Sequence, residues 1–190
     1  MPDKITNLIN RLGRSIHCRQ FAQGLNPAQW ESLRYLSRAN RYSRTPSALA
    51  EYLRTTKGTA SQTLKSLEAK GYVRRVPVPE DRRAVRIDIT DAGHIVLRRD
   101  PLQCLETSAT ELGGDLEAAT RVLGHLALAL ERSSGKDFGL CGECTYFCKN
   151  AEPAAEGGPH KCGLHEEPLS VVDSTKICIS HSCARTERHQ

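Results

Sequence analysis

The sequence predicts a mainly helical fold with one small β-hairpin, helices on both flanks of it, and a small irregular tail. Three observations predict it. Apolar residues recur at helical spacing through most of the first 134 residues. Two short alternating runs, Tyr72–Val76 and Val85–Ile89, bracket a polar, proline-containing stretch, as the strands of a hairpin do. Beyond Ser133-Ser134-Gly135 helical periodicity stops and six of the eight cysteines appear.

Residues 4–22 read as a helix, with Ile5, Leu8, Ile9, Leu12 and Ile16 on one stripe. Asn26-Pro27 signals the next helix start: asparagine caps, and proline at the first turn loses no useful donor. Trp30, Leu33 and Leu36 then face inward. Thr45-Pro46 repeats the signal before a short helix carrying Leu49, Ala50 and Leu53. Thr55–Gly58 forms a tight connection to a helix from about Gly58 to Lys70, with Ala60, Leu64 and Leu67 inward and Gly71 as its stop. After the hairpin, Thr90 caps a long helical region running to about Ser134, bent near Gly113-Gly114.

That order is a winged helix-turn-helix with helical extensions at both ends. It divides the chain into an N-terminal dimerisation helix (1–24), a DNA-binding domain (25–97), C-terminal dimerisation helices (98–134) and a cysteine-rich metal-binding tail (135–190). Hydrophobic residues are 38% and aromatics 5% of the chain, a modest core of the kind often completed in an oligomer. The net charge of +5 suits a polyanion. Its distribution says more: Arg41, Arg44, Arg54, Lys57, Lys65, Lys70, Arg74 and Arg75 face only Glu51 and Glu68 in the same segment.

The 58–70 helix is the expected recognition element. Burial of its apolar positions leaves Thr59, Ser61, Gln62, Lys65 and Ser66 outward, hydrogen-bonding groups and a cation suited to base edges in a major groove. Lys57 stands at the helix start, where backbone N–H groups also meet phosphate. Arg82 and Arg83, at the hairpin tip, reach the DNA backbone or an adjacent minor groove. Lys65 and Lys70 read as phosphate contacts or solvated cations rather than base readers.

Residues 25–97 resemble the MarR family of regulators. The resemblance is carried by Leu49-Ala50-Glu51-Tyr52-Leu53, by the run from Ser61 to Arg75, and by Glu80-Asp81-Arg82-Arg83-Ala84-Val85-Arg86-Ile87-Asp88-Ile89-Thr90-Asp91-Ala92-Gly93. It implies a two-fold homodimer on a palindromic double-stranded DNA site, Asp81 bracing the wing, and Arg83 as the groove-inserting arginine. The family often binds phenolic ligands between its DNA-binding and dimer regions.

No charged-then-apolar leader opens the chain, and no segment approaches the roughly 18 apolar residues of a membrane span, so a cytoplasmic, non-membrane protein is expected. In that reducing compartment the cysteines point to metal or redox chemistry rather than disulfides. The tail reads Cys141-X2-Cys144-X3-Cys148, then Cys162, then Cys178-X4-Cys183, with His160, His165 and His181 interspersed. A Cys-X2-Cys pair puts two thiolates on one turn, and metal binding supplies folding free energy that a coreless tail lacks.

The expected ligands are Cys141, Cys144, Cys162 and Cys178, with Cys148, Cys183 and His181 as alternates. A single knuckle, the aromatic pair Tyr146-Phe147 and widely spaced later cysteines loosely resemble high-potential iron–sulfur proteins. An iron–sulfur cluster is therefore the leading cofactor and zinc the alternative. Cys18 and Cys104 read as buried helix thiols, and the histidines as solvated loop residues. Glu143, Glu166 and Glu167 have no accompanying His-Glu motif, phosphate loop or nucleophile, so the chain is not read as an enzyme. The function expected is a dimeric regulator whose tail senses redox, oxygen, nitric oxide or iron status. The alternative is a small-ligand-responsive regulator with a structural zinc site.

Overall fold

The computed structural model describes residues 2–78, 81–131, 138–151 and 156–182. Helix α1 (Pro2–Arg19) precedes α2 (Pro27–Arg38), α3 (Pro46–Tyr52) and α4 (Lys57–Ala69). Each of the last three starts at a side-chain cap. Asn26 Oδ1 accepts from Gln29 N at 2.9 Å while Gln29 Oε1 accepts from Asn26 N at 3.0 Å, a capping box that satisfies two otherwise orphaned donors. Thr45 and Thr56 accept from Ala48 N and Thr59 N. Gly71, at φ +73°, turns the chain out of α4 where a side chain is strained.

Strands β1 (Val73–Val78) and β2 (Asp81–Ile89) pair antiparallel as the wing, Val73 opposite Ile89, with a register shift between Pro77 and Val78. Helix α5 (Asp91–Leu97) starts at Thr90. A side chain on Gly93 would run into the Tyr72 carbonyl, so only glycine lets α5 approach β1 this closely. Trp30, Leu33, Tyr35, Leu36, Leu49, Leu64, Leu67, Val73 and Ile87 form the buried core.

The expected long helix from Thr90 to Ser134 is instead three: α5, α6 (Gln103–Thr110) and, after a 3-10 turn at Gly113–Asp115, α7 (Leu116–Glu131). The sequence reading anticipated the glycine break and missed the earlier one. Pro101 has no N–H to continue α5, and Asp100 is taken by Arg34 of α2 at 2.6 and 2.7 Å, which pins the break to the core. The first helix also ends sooner than expected, at Arg19. Its apolar stripe of Ile5, Leu8, Ile9 and Leu12 is 42–50% exposed, as are Leu105, Leu112, Leu116, Val122, Leu123 and Leu130 of the C-terminal helices at 38–69%. Cys18 and Cys104, expected to be buried, are exposed on these same helices.

The tail is more ordered than expected and does not stand alone. Strand β3 (Gly139–Leu140) pairs with β7 (Ile177–Cys178); β4 (Phe147–Cys148), β5 (His160–Cys162) and β6 (Glu167–Leu169) form a second small sheet; α8 (Val171–Ser174) lies between β6 and β7. Cys141, Cys162 and Leu169 form a small buried cluster with Phe147 and Tyr42, and other apolar residues of the tail join the core of the winged helix. Ile177 is buried in that cluster, with Phe138, Leu140 and Ile179 packed against it. Phe138 meets both Tyr35 of α2 and Tyr52 of α3 edge-on, with centroids 6.2 and 5.3 Å apart. Among the described residues no helix is long and apolar enough to cross a membrane.

Candidate nucleic-acid interface and candidate metal centre

Helix α4 buries Ala60, Leu64 and Leu67, and its other positions follow from that choice. Lys57, Thr59, Gln62 and Lys65 are exposed; Ser61 is half-buried. Thr59 Oγ1 lies 2.9 Å from the capping hydroxyl of Thr56, so the two hydroxyls are hydrogen-bonded at the head of the helix. Ser66, expected on the outward face, accepts from Gln29 Nε2 at 2.8 Å and belongs to the α2–α4 packing. Lys70 donates to the Gly24 carbonyl at 2.9 Å, which assigns it a structural contact. Arg82 and Arg83 lie on β2 just after the wing turn, with Asp81 opposite Val78; the side chains of all three lie outside the described set.

Between α2, the wing and the tail lies a cleft of about 430 Å3 whose walls include Arg41, Arg44, Arg74, Arg86 and Lys176. Among the described residues Asp88 is the one carboxylate lining it, 3.1 Å from Arg86 and 3.6 Å from Arg44. The local field is therefore positive.

In the tail, Cys141, Cys144, Cys162 and Cys178 border one cavity, together with Tyr42, Tyr146, Phe147, Leu164 and Leu169. Three separate loops bring the four sulfurs there: the 3-10 turn Cys141–Glu143 with Cys144 after it, β5, and β7. The cavity admits the centre of little more than one water-sized sphere, about 10 Å3. No three His, Cys, Asp or Glu side chains among the described residues already form a metal-holding group. The sulfurs thus share a cavity without making a finished coordination shell. Burial and the neighbouring thiols of Cys178, Cys162 and Cys144 push the Cys141 thiol up to about 12. A bound cation reverses that ordering, because each thiolate then faces a positive charge.

Of the alternates, Cys148 and His181 do not border the cavity. Cys148 is exposed. His181 packs over Gly139, and neither of its ring nitrogens has a partner among the described residues. Cys183 lies outside the described residues. The histidines are not solvated loop residues as expected. His160 is 7% exposed and accepts from Asn150 N through Nδ1 at 3.1 Å, and His165 stacks on Tyr42 at 4.0 Å. They are packing groups of a folded module, which the bare sequence gave no core to suggest.

Sequence reading missed the third wall of the cavity, which comes from the winged helix. Asn40 and Tyr42, in the α2–α3 turn, line it. Around them Asn40 N donates to Ile177 O at 2.8 Å, Lys176 Nζ to Ser37 O at 2.9 Å, and Ile179 N to Ser43 Oγ at 2.9 Å. Arg41 donates to Pro168 O and pairs with Glu167 at 2.9 Å. The Tyr42 hydroxyl, raised by burial and by Glu167, stays protonated and donates to that carboxylate at 2.7 Å. No sequence signal singles out Asn40, because its burial depends on the tail packing against the α2–α3 turn.

Residues 23–84 match the model of the MarR family. Over 58 residues the chain is 36% identical to the HTH-type transcriptional regulator PecS of Dickeya dadantii, covering 30% of this chain and 35% of that one. Over 77 residues it is 31% identical to the transcriptional repressor MprA of Escherichia coli, covering 40% and 44%. The chain thus spans between a third and a half of these curated relatives. Among solved structures, the transcriptional regulator BldR of Sulfolobus solfataricus is 27% identical with a TM-score of 0.52, over 68% of this chain and 94% of that one. Streptococcus pneumoniae FabT, solved in complex with DNA, is 21% identical at TM-score 0.53 and shows the shared fold. The cysteine module lies beyond the matched family segment. The segment that is similar to the MarR family, residues 23–84, lies within a winged helix-turn-helix fold.

Proposed function

We propose that the chain is a DNA-binding transcriptional regulator that works as a homodimer on a palindromic operator, and that its tail holds an iron–sulfur cluster sensing redox, oxygen, nitric oxide or iron status. The observation that carries the DNA reading is the exposed face of α4, with Lys57, Thr59, Gln62 and Lys65, in a MarR-type frame beside a two-stranded wing. The relatives PecS and MprA, a regulator and a repressor by name, support it. The exposed apolar stripes of α1 and of the C-terminal helices support the dimer, since surfaces of that kind mark association sites. Two recognition helices must then stand about 34–36 Å apart, one turn of duplex.

The cluster reading rests on four cysteines around one cavity walled by Tyr42, Tyr146, Phe147, Leu164 and Leu169, with Ser182 N donating to Cys144 Sγ at 3.4 Å. Apolar shielding and N–H···S bonds are the usual means of tuning such a cluster. Cys141→Ser and Cys144→Ser are expected to lose colour near 400 nm (general cluster chemistry) and to change operator affinity. Unchanged DNA binding in both variants and in chelator-treated protein rejects sensing.

Two observations favour a second reading, a structural zinc site with a small organic effector. The space among the sulfurs suits a single ion, and the arginine-lined cleft is the size of a small-molecule site. Quantifying iron, sulfide and zinc after anaerobic purification separates the two.

A further inference from the structure

The cavity among the four cysteines is closed on one side by a residue of the DNA-binding domain. Asn40 is 1% exposed, so its amide is cut off from water. Its orientation is fixed by neighbours that only one end of an amide satisfies. The Ser43 backbone N–H can only donate, and it donates at 3.0 Å to the atom that also accepts from Ser43 Oγ at 2.7 Å. That atom must be the carbonyl oxygen Oδ1. The other end, Nδ2, is buried and has no partner among the described residues, in a side chain that lines the cysteine cavity. Buried N–H groups left without an acceptor are disfavoured, so an acceptor at this spot is expected. Besides polar side chains such as Ser180 and His165, the cavity is lined by the four cysteines, and a metal-bound thiolate or sulfide accepts N–H bonds far better than a neutral thiol.

We propose that the centre is shared between the two modules: the tail supplies the thiolates, and Asn40 of the α2–α3 turn donates through Nδ2 to a metal-bound sulfur. Loading then tightens a continuous path from centre to Asn40, to Ser43, to the Ile179 backbone, at the point where α2 hands over to α3 and α4. Asn40 is a positioning residue, neither a ligand nor a DNA contact. This inference rests on the reading that the four cysteines hold a metal.

Asn40→Asp is the informative variant, because Asp keeps the oxygen that Ser43 needs and puts an acceptor in place of the donor. Full-length wild type and Asn40→Asp are reconstituted anaerobically, with iron and sulfide in one arm and zinc alone in the other. Metal affinity is read by chelator competition, and DNA affinity with a mixed-sequence duplex of about three helical turns. Asn40→Asp is expected to weaken metal retention about 10- to 100-fold, as loss of an outer hydrogen bond commonly does, and to bring loaded and metal-free DNA affinities together. For iron, its midpoint potential also falls, because the donor that favoured the reduced centre is gone. Should Asn40→Asp fold poorly, hydrogen exchange on wild type decides instead: amides of residues 39–45 gain at least tenfold protection on loading.

Equal exchange in loaded and metal-free wild type overturns the sharing, as does a folded Asn40→Asp with unchanged metal and DNA affinities. Wild type that takes up neither metal overturns the four-thiolate reading itself and leaves the DNA-binding reading standing.

Discussion

Ile177→Ala tests whether the cysteine module is part of the winged helix or merely tethered to it. Ile177 is 6% exposed and belongs to the cluster that holds Trp30, Leu33 and Leu36, although it sits at the far end of the sequence. The substitution removes three carbons at about 0.8 kcal/mol each, about 2.4 kcal/mol of transfer free energy, and the residual cavity brings the expected cost to about 2–5 kcal/mol. The assay is guanidinium unfolding followed by fluorescence of Trp30, the chain's single tryptophan, which is fully buried in α2. With a slope of about 2–6 kcal/mol/M, a loss of 3 kcal/mol lowers the midpoint by about 0.5–1.5 M. Protein concentration is held fixed, because the apparent stability of the proposed dimer depends on it. Val172→Ala, on the exposed face of α8, is the control and moves the midpoint by less than the equivalent of about 0.5 kcal/mol. A Trp30 transition that stays in place in Ile177→Ala refutes the shared core.

Three other outcomes follow from the same geometry. Thr56→Ala removes the cap of α4 and is expected to cost about 1 kcal/mol in thermal unfolding and, on the proposed function, to lower DNA affinity at the same time. Lys65→Ala weakens binding to all duplexes alike and lowers the salt slope by about one, whereas Gln62→Ala changes the order of preference among sequences; titrations at several salt concentrations separate them. Burial, the largest single effect, opposes ionisation of Asp100, but the hydrogen bonds from Arg34, the Leu102 backbone N–H and the Arg34 charge together outweigh it and hold the carboxyl below its usual range. Its contribution is therefore complete above the unfolded carboxylate pKa and is lost as pH falls below it. Asp100→Asn should cost about 1–3 kcal/mol at pH 7 and flatten that acid limb in pH-dependent unfolding.

The parts of the fold governed by local rules were legible in the sequence. Asn26-Pro27, Thr45-Pro46 and Thr90 mark their helices because a side-chain oxygen one residue ahead of a helix satisfies donors that nothing else reaches. Alternation around Pro77 and Pro79 marked the wing. Spacing places Cys141 and Cys144 on one turn, whereas the approach of Cys162 and Cys178 to the same cavity depends on how the tail folds. What stayed hidden depends on contacts distant in sequence. Arg34 selects Asp100 from 66 residues away, and that choice breaks the long helix. Ser66 looks like a DNA-facing hydroxyl until Gln29 arrives from α2. The tail looked coreless because its apolar residues were counted only against each other.

Where the tail docks changes how a metal signal would reach DNA. From the sequence, a tail following the last dimerisation helix suggests a signal that tilts the dimer and resets the spacing of the recognition helices. The structure ties the module instead to α2 and α3 directly, through Phe138 against Tyr35 and Tyr52 and through the bonds around Asn40, Arg41 and Ser43. A change confined to the α2–α3 turn can reorient α3 and α4 within one protomer, without rearrangement of the dimer. The two routes differ in an observable. A signal through the dimer alters affinity for a full palindrome and leaves a half-site unaffected, whereas a signal through the turn changes both by a similar factor per protomer. Comparing loaded and metal-free protein on full and half sites therefore tests the position of the module as well as its chemistry.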